Sequence, residues 1–219
     1  MTDIPQKKNA VTWLRIIYPL WALVGIFSLL YVPSELIDLG NPELTVNNIE
    51  EKEWLFRLGV TGKLITQLFS IATVWFLYKL FYSEYKNAMI LTAIFAFIGI
   101  PIDMLSTANE LLIPDMLNQQ EQVIYLIQQS RKGTSIASIF WGLWLLPLGY
   151  MITKSPLFPR VIGWLVIIAG VAYTLIAFAT FHGIKGGPII TIMDYLTFGE
   201  LIWMLWVMIV GARWKAVAG

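Results

Sequence analysis

The sequence predicts an all-α integral membrane protein, a bundle of six transmembrane helices with short amphipathic helices in the two longer outer loops. Three observations predict it. Hydrophobic residues make up 58% of the 219 and charged residues only 13%, far from the balance of a soluble domain. Mean hydropathy is +0.69. Six apolar stretches each approach or exceed the roughly 20 residues that a helix needs to cross a hydrocarbon layer. They fall at residues 14–32, 58–82, 88–106, 134–152, 161–181 and 189–211, and residues 1–219 read as a single membrane domain with no room for a soluble catalytic one.

The first stretch is too long for the apolar part of a signal peptide and runs into Tyr31-Val32-Pro33-Ser34 rather than a small-residue cleavage site, so it reads as a retained helix. Asn41-Pro42 then signals a turn. Residues 45–55 set Val46, Ile49 and Trp54 among Glu50, Glu51, Lys52 and Glu53, as suits a helix lying on the membrane surface. The second span carries Lys63 one to two turns below its outer end, with Arg57 above it. In the third, Gly99 and Pro101 precede Asp103; proline removes a backbone donor, which predicts a kink beside the carboxylate.

Residues 115–130 set Leu117, Val123, Ile124 and Ile127 against Gln119, Gln122, Gln128 and Gln129, a second surface helix opened by Pro114. The fourth and fifth spans carry stripes of small residues: Ser135, Ser138, Gly142 and Gly149 on one, Gly163, Gly170 and Ala177 on the other. In lipid, helices associate through close van der Waals approach, so these stripes mark packing faces. The turn from Lys154 to Arg160 places two cations at the interface. The sixth span holds Asp194 at shallow depth and Glu200 near its middle. Trp13, Trp54, Trp164 and Trp214 lie at span ends as interfacial anchors, whereas Trp141, Trp144, Trp203 and Trp206 lie deeper.

Counting cations in the flanks orients the bundle. One side collects Lys7, Lys8, Arg15, Lys79, Lys86, Lys154, Arg160, Arg213 and Lys215; the other has Lys52, Arg57, Arg131, Lys132 and Lys185. The bias predicts both termini in the cytoplasm.

Charges inside a bilayer cost about 2.5 to 3.5 kcal/mol each at its centre and persist only when paired or hydrated. Glu200, Asp103, Lys63 and Asp194, with Arg57 above them, are therefore the candidate ligand or proton site, and on this orientation they imply a polar pocket open to the outside. The alternative for each is an ion pair that fixes helix register, joining Lys63 to Asp103 or Glu200. No catalytic residue is assigned. His182 is the only histidine and reads as a surface residue, so a serine triad, a bis-histidine haem and a multi-histidine metal centre lack their parts. A carboxylate metal site from Asp103, Asp194 and Glu200 is conceivable, but no metal and no cofactor is expected. With no cysteine there are no thiolate ligands or disulfides. A net charge of +1 gives no field for nucleic acid, so the expected partner is membrane lipid, with protein partners and self-association left open.

The words Leu30-Tyr31-Val32-Pro33-Ser34, Leu55-Phe56-Arg57-Leu58-Gly59-Val60, the run from Gly142 to Tyr150, Leu157-Phe158-Pro159-Arg160-Val161-Ile162-Gly163 and Gly199-Glu200-Leu201 occur in this order along nearly the whole chain. Together they resemble the bacterial family of small multi-pass membrane proteins known as domain of unknown function 4386. The resemblance implies a single membrane domain and favours Arg57 and Glu200 as pattern positions; it implies no activity, cofactor or ligand.

The function expected from the residues is that of a membrane protein binding a lipid or small amphipathic ligand in an outward-facing polar pocket, as a sensor or accessory subunit. The alternative is a small proton-coupled transporter using Glu200 and Asp103, although no inverted repeat is detectable. An intramembrane enzyme using the carboxylates as acid and base has least support.

Overall fold

A computed structural model describes residues 4–184 and 186–214; Lys185 and Lys215, two of the cations used to orient the chain, lie outside them. Six helical stretches in it are long and apolar enough to span a membrane, making the chain a multi-pass membrane protein. The first span covers Ile4–Leu36 and joins α1 (Ile4–Gly25) through a π-helical segment (Ile26–Tyr31) to α2 (Val32–Leu36). The widened turns end where Pro33 cannot donate its share of the ladder.

A tight turn leads to α3 (Pro42–Glu51), which starts as its sequence dictates: the Asn41 side chain accepts from the Leu44 amide at 3.1 Å and Pro42 sits in the first turn. The α3 helix turns Val46 and Ile49 into the bundle, while Trp54 stays exposed. The apolar face that a surface helix would give to lipid is taken by Leu36, Phe56 and Ile113.

The second and third spans are α4 (Glu53–Phe81) and α5 (Lys86–Ala108), and α5 passes through Pro101 without interruption. A 3₁₀ segment (Glu110–Met116) then extends the third span to Met116, well beyond the predicted end at 106. The fourth span is α6 (Gln120–Lys154), 35 residues long. The predicted surface helix at 115–130 is thus divided, its first part 3₁₀ and the rest the opening turns of α6. Val123, Ile127, Ser130 and Ala137 share one buried face, and neither proline nor a capping residue separates them from the span. The fifth span is α7 (Arg160–Phe181), and the sixth comprises α8 (Pro188–Leu196) and α9 (Phe198–Ile209), interrupted at Thr197.

The predicted stripes bring two backbones into contact. Antiparallel α6 and α7 place Gly142 against Gly170 and Gly149 against Gly163, and a Cβ at Gly149 or Gly163 would come within 2.6 Å of the opposing carbonyl oxygen. Glycine is required here because the two backbones touch. Two apolar cores result. One, around Leu14, Leu77, Met89, Leu148 and Trp203, lies toward the face where Lys7 pairs with Glu84 and the Arg213 amide donates to the Leu157 carbonyl. The other, around Leu36, Ile49, Phe56, Ile113 and Ile127, lies under α3 on the opposite, loop-bearing face. Along each of the first four spans buried polar residues separate the two cores: Ser28, then Thr66 and Gln67, then Asp103, Ser106 and Thr107, then Ser130. Large apolar side chains such as Leu23, Leu105 and Ile209 face outward, as lipid demands.

Candidate functional site

The polar layer surrounds two adjacent chambers. The one nearer the loops has a volume of about 310 Å³ and is lined by Lys63, Asp103, Glu110, Arg131 and Thr134 among others. Helical repeat brings them together. Lys63 and Gln67 are four apart on α4, Asp103 and Glu110 seven apart along the third span, Ser130 and Thr134 four apart on α6. Lys63 Nζ donates to both Glu110 carboxylate oxygens at 2.7 and 2.8 Å, and the Ser130 hydroxyl donates to Oε1 at 2.7 Å. Asp103 accepts from Gln67 Nε2 at 2.7 Å and from the Thr134 hydroxyl at 2.8 Å. The second and fourth spans thus supply donors to two buried carboxylates of the third, as burial of such groups requires.

The expected partner of Lys63 is corrected: it pairs with Glu110, not with Asp103 or Glu200. Glu110 escaped the sequence reading because the third span was ended at Ser106. Its signal was the recurrence Asp103, Ser106, Thr107, Glu110, one polar face continuing at helical spacing into the supposed loop.

The second chamber, about 190 Å³, lies between the cores, and all six spans contribute to it. Its wall is largely aromatic, with Trp21 from α1, Trp141 and Trp144 from α6, and Tyr173 from α7. Thr66, Gln67 and Ser70 of α4 add polar groups. Glu200, in the first turn of α9, is its one charged residue among those described. Gly199 sets that position: α9 lies so close to α7 that a Cβ at residue 199 would collide with the Leu165 main chain. Among the described residues Glu200 has no ion-pair partner, and no lysine, arginine or histidine lines the chamber. Leu29, on the π-helical turn, borders both chambers. Gln67 is the link between them, its amide nitrogen on Asp103 and its buried Oε1 without a hydrogen-bond partner.

Arg57 and Asp194 are not brought to either chamber. Arg57 Nε donates to Glu53 Oε1 at 2.6 Å on the exposed face of α4, and Asp194 is exposed on α8. His182 is exposed at the end of α7. Asp103, Asp194 and Glu200 lie in three separate environments, and among the described residues no group of three or more acidic or histidine side chains could hold a metal ion. The arrangement offers an acid, an amide and aromatic faces around a small space, suited to holding a molecule.

No curated protein and no solved structure matches the chain. Residues 16–211 match the family described as "Domain of unknown function (DUF4386)". This stretch holds all six spans in whole or in part and both chambers, and the chain belongs to that family.

Proposed function

We propose that the protein binds a lipid or small amphipathic molecule in the two adjacent chambers and serves as a membrane-embedded sensor or accessory subunit. In this reading it sits in the cell (inner) membrane with both termini cytoplasmic and the loop-side chamber opening outward. The observation that carries the reading is the central chamber, a space of about 190 Å³ with aromatic walls kept open in a bundle whose backbones elsewhere touch. A cavity of about 150 Å³ suffices for a benzene-sized guest. The two chambers also differ in character, the loop-side one bearing the ion pair and the central one mainly apolar, as an amphipathic guest requires.

Native mass spectrometry of the protein released from nanodiscs tests this. A discrete adduct is expected on the wild type and is expected to be lost in Ala96→Phe, which fills the central chamber. Adducts equal in both proteins, or none in either, would refute it. A second reading, proton-coupled transport through Glu200 and Asp103, is favoured by the Gln67 bridge between the chambers. It requires pH-dependent solute flux in reconstituted vesicles that Glu200→Gln abolishes.

A further inference from the structure

We infer that the central chamber is selective for a protonated organic amine, its ammonium group held between the Glu200 carboxylate and the aromatic wall; this rests on the binding function proposed above. Charge leads to it first. Among the described residues Glu200 is the only charged one of the chamber, and no cation reaches it. A carboxylate withdrawn from water calls for a counter-charge, and a cationic guest supplies the one that the fold omits.

The wall agrees with the charge. Trp21, Trp141, Trp144 and Tyr173 supply aromatic surface that attracts a cation. Four aromatic side chains from three different spans around one acid form the kind of enclosure in which ammonium groups are recognised.

Hydrogen bonding narrows the class to amines that retain N–H. The Thr66 and Ser70 hydroxyls donate to main-chain carbonyls of Lys63 and Thr66, at 2.6 and 3.2 Å. The Gln67 amide nitrogen donates to Asp103, which leaves its Oε1 as a buried acceptor with no partner. The acceptors that the chamber presents to a guest bringing donors are the oxygens of Glu200, beside the buried Gln67 amide. Leu29 at the chamber's edge is 44% exposed on the lipid side of the first span, so an apolar tail can leave toward the bilayer. The amine can thus be a free arylalkylamine or the head of a long-chain lipid.

The test is titration of the full chain in nanodiscs, read by tryptophan fluorescence, since Trp21, Trp141 and Trp144 line the chamber. The probes are 2-phenylethylammonium, its neutral counterpart 2-phenylethanol, the anion 3-phenylpropanoate, and dodecylammonium as the lipid-like amine. Wild-type protein is expected to bind at least one of the two amines at least tenfold more tightly than the alcohol, with no saturable response to the anion. Glu200→Gln is expected to weaken amine binding at least tenfold and to leave the alcohol unchanged. Preference for dodecylammonium would identify a lipid amine, and preference for 2-phenylethylammonium a free one. Equal binding of amine and alcohol by the wild type would overturn the amine assignment, and if Ala96→Phe then removed both, the binding function would stand. No response to any probe, with no native adduct, would overturn both. Should Glu200→Gln fail to fold, the wild-type ratio of amine to alcohol decides.

Discussion

Replacing Glu110 with glutamine removes one charge from the loop-side chamber while keeping an acceptor for the Ser130 hydroxyl, so it isolates the ion pair with Lys63. The side chains of Lys63 and Glu110 are 16% and 6% exposed, and the pair is joined by two short hydrogen bonds. Removing one partner of a buried pair costs about 3–5 kcal/mol because the other is left uncompensated. Lys63 borders a chamber that can admit water, which places the expected loss at the lower end, about 3 kcal/mol. Lys63→Met is expected to cost a similar amount. The double variant Lys63→Met with Glu110→Gln is expected to lose no more than either single change, a coupling energy of about 3 kcal/mol. The assay is reversible unfolding by SDS in mixed micelles, followed by tryptophan fluorescence for the wild type, both single variants and the double variant. A loss under about 0.5 kcal/mol for Glu110→Gln, or additive losses in the double variant, would refute the reasoning.

Alanine at Gly149 is expected to separate α6 from α7, costing about 1–3 kcal/mol in the same unfolding assay, because its Cβ would lie 2.6 Å from the Gly163 carbonyl oxygen. Tyr18→Phe removes the acceptor of the buried Trp203 indole N–H, now bonded at 3.0 Å, and is expected to cost about 1–3 kcal/mol with a shift in tryptophan emission. A cost within error of zero would mean that water replaces the lost acceptor. The chain has no cysteine, so single cysteines report topology directly. On the proposed orientation an impermeant thiol reagent added outside intact cells is expected to label Leu39→Cys and Asn118→Cys but not Ser83→Cys; the opposite pattern would invert the bundle.

Buried ion pairs of this kind stabilise little beyond what well-packed apolar residues would give, and their value lies in specifying which helices meet. Here the Lys63–Glu110 and Gln67–Asp103 contacts join the second span to the third, and Ser130 and Thr134 join the fourth to the same carboxylates. The register that results also positions the central chamber, because Gln67 belongs to both networks. The Arg15 guanidinium acts comparably at the other face, donating from Nε to the Met208 carbonyl at 3.0 Å near the end of α9. Gly211 then takes a positive φ of 73° that only glycine adopts without strain, and its amide closes onto the Trp206 carbonyl.

Whatever depends on one chain segment against its solvent was legible in the sequence. The six spans, the Asn41-Pro42 start of α3 and the Gly142, Gly149, Gly163 and Gly170 packing stripes follow from length, hydropathy and side-chain size, quantities each helix carries alone. The cost of burying charge likewise singled out Glu200, Asp103 and Lys63 without any partner in view. Which charges meet was decided only by tertiary structure. The 3₁₀ extension keeps Glu110 on the face of Asp103, the crossing of α4 and α5 brings it to Lys63, and Arg57 finds Glu53 on its own helix instead. The same holds for the aromatic enclosure: Trp21, Trp141, Trp144 and Tyr173 are far apart in sequence and become one wall because backbone contact at glycines sets the helices' phase. A pairing or a chamber is a relation between helices, fixed by how their surfaces interdigitate, and no single helix encodes it.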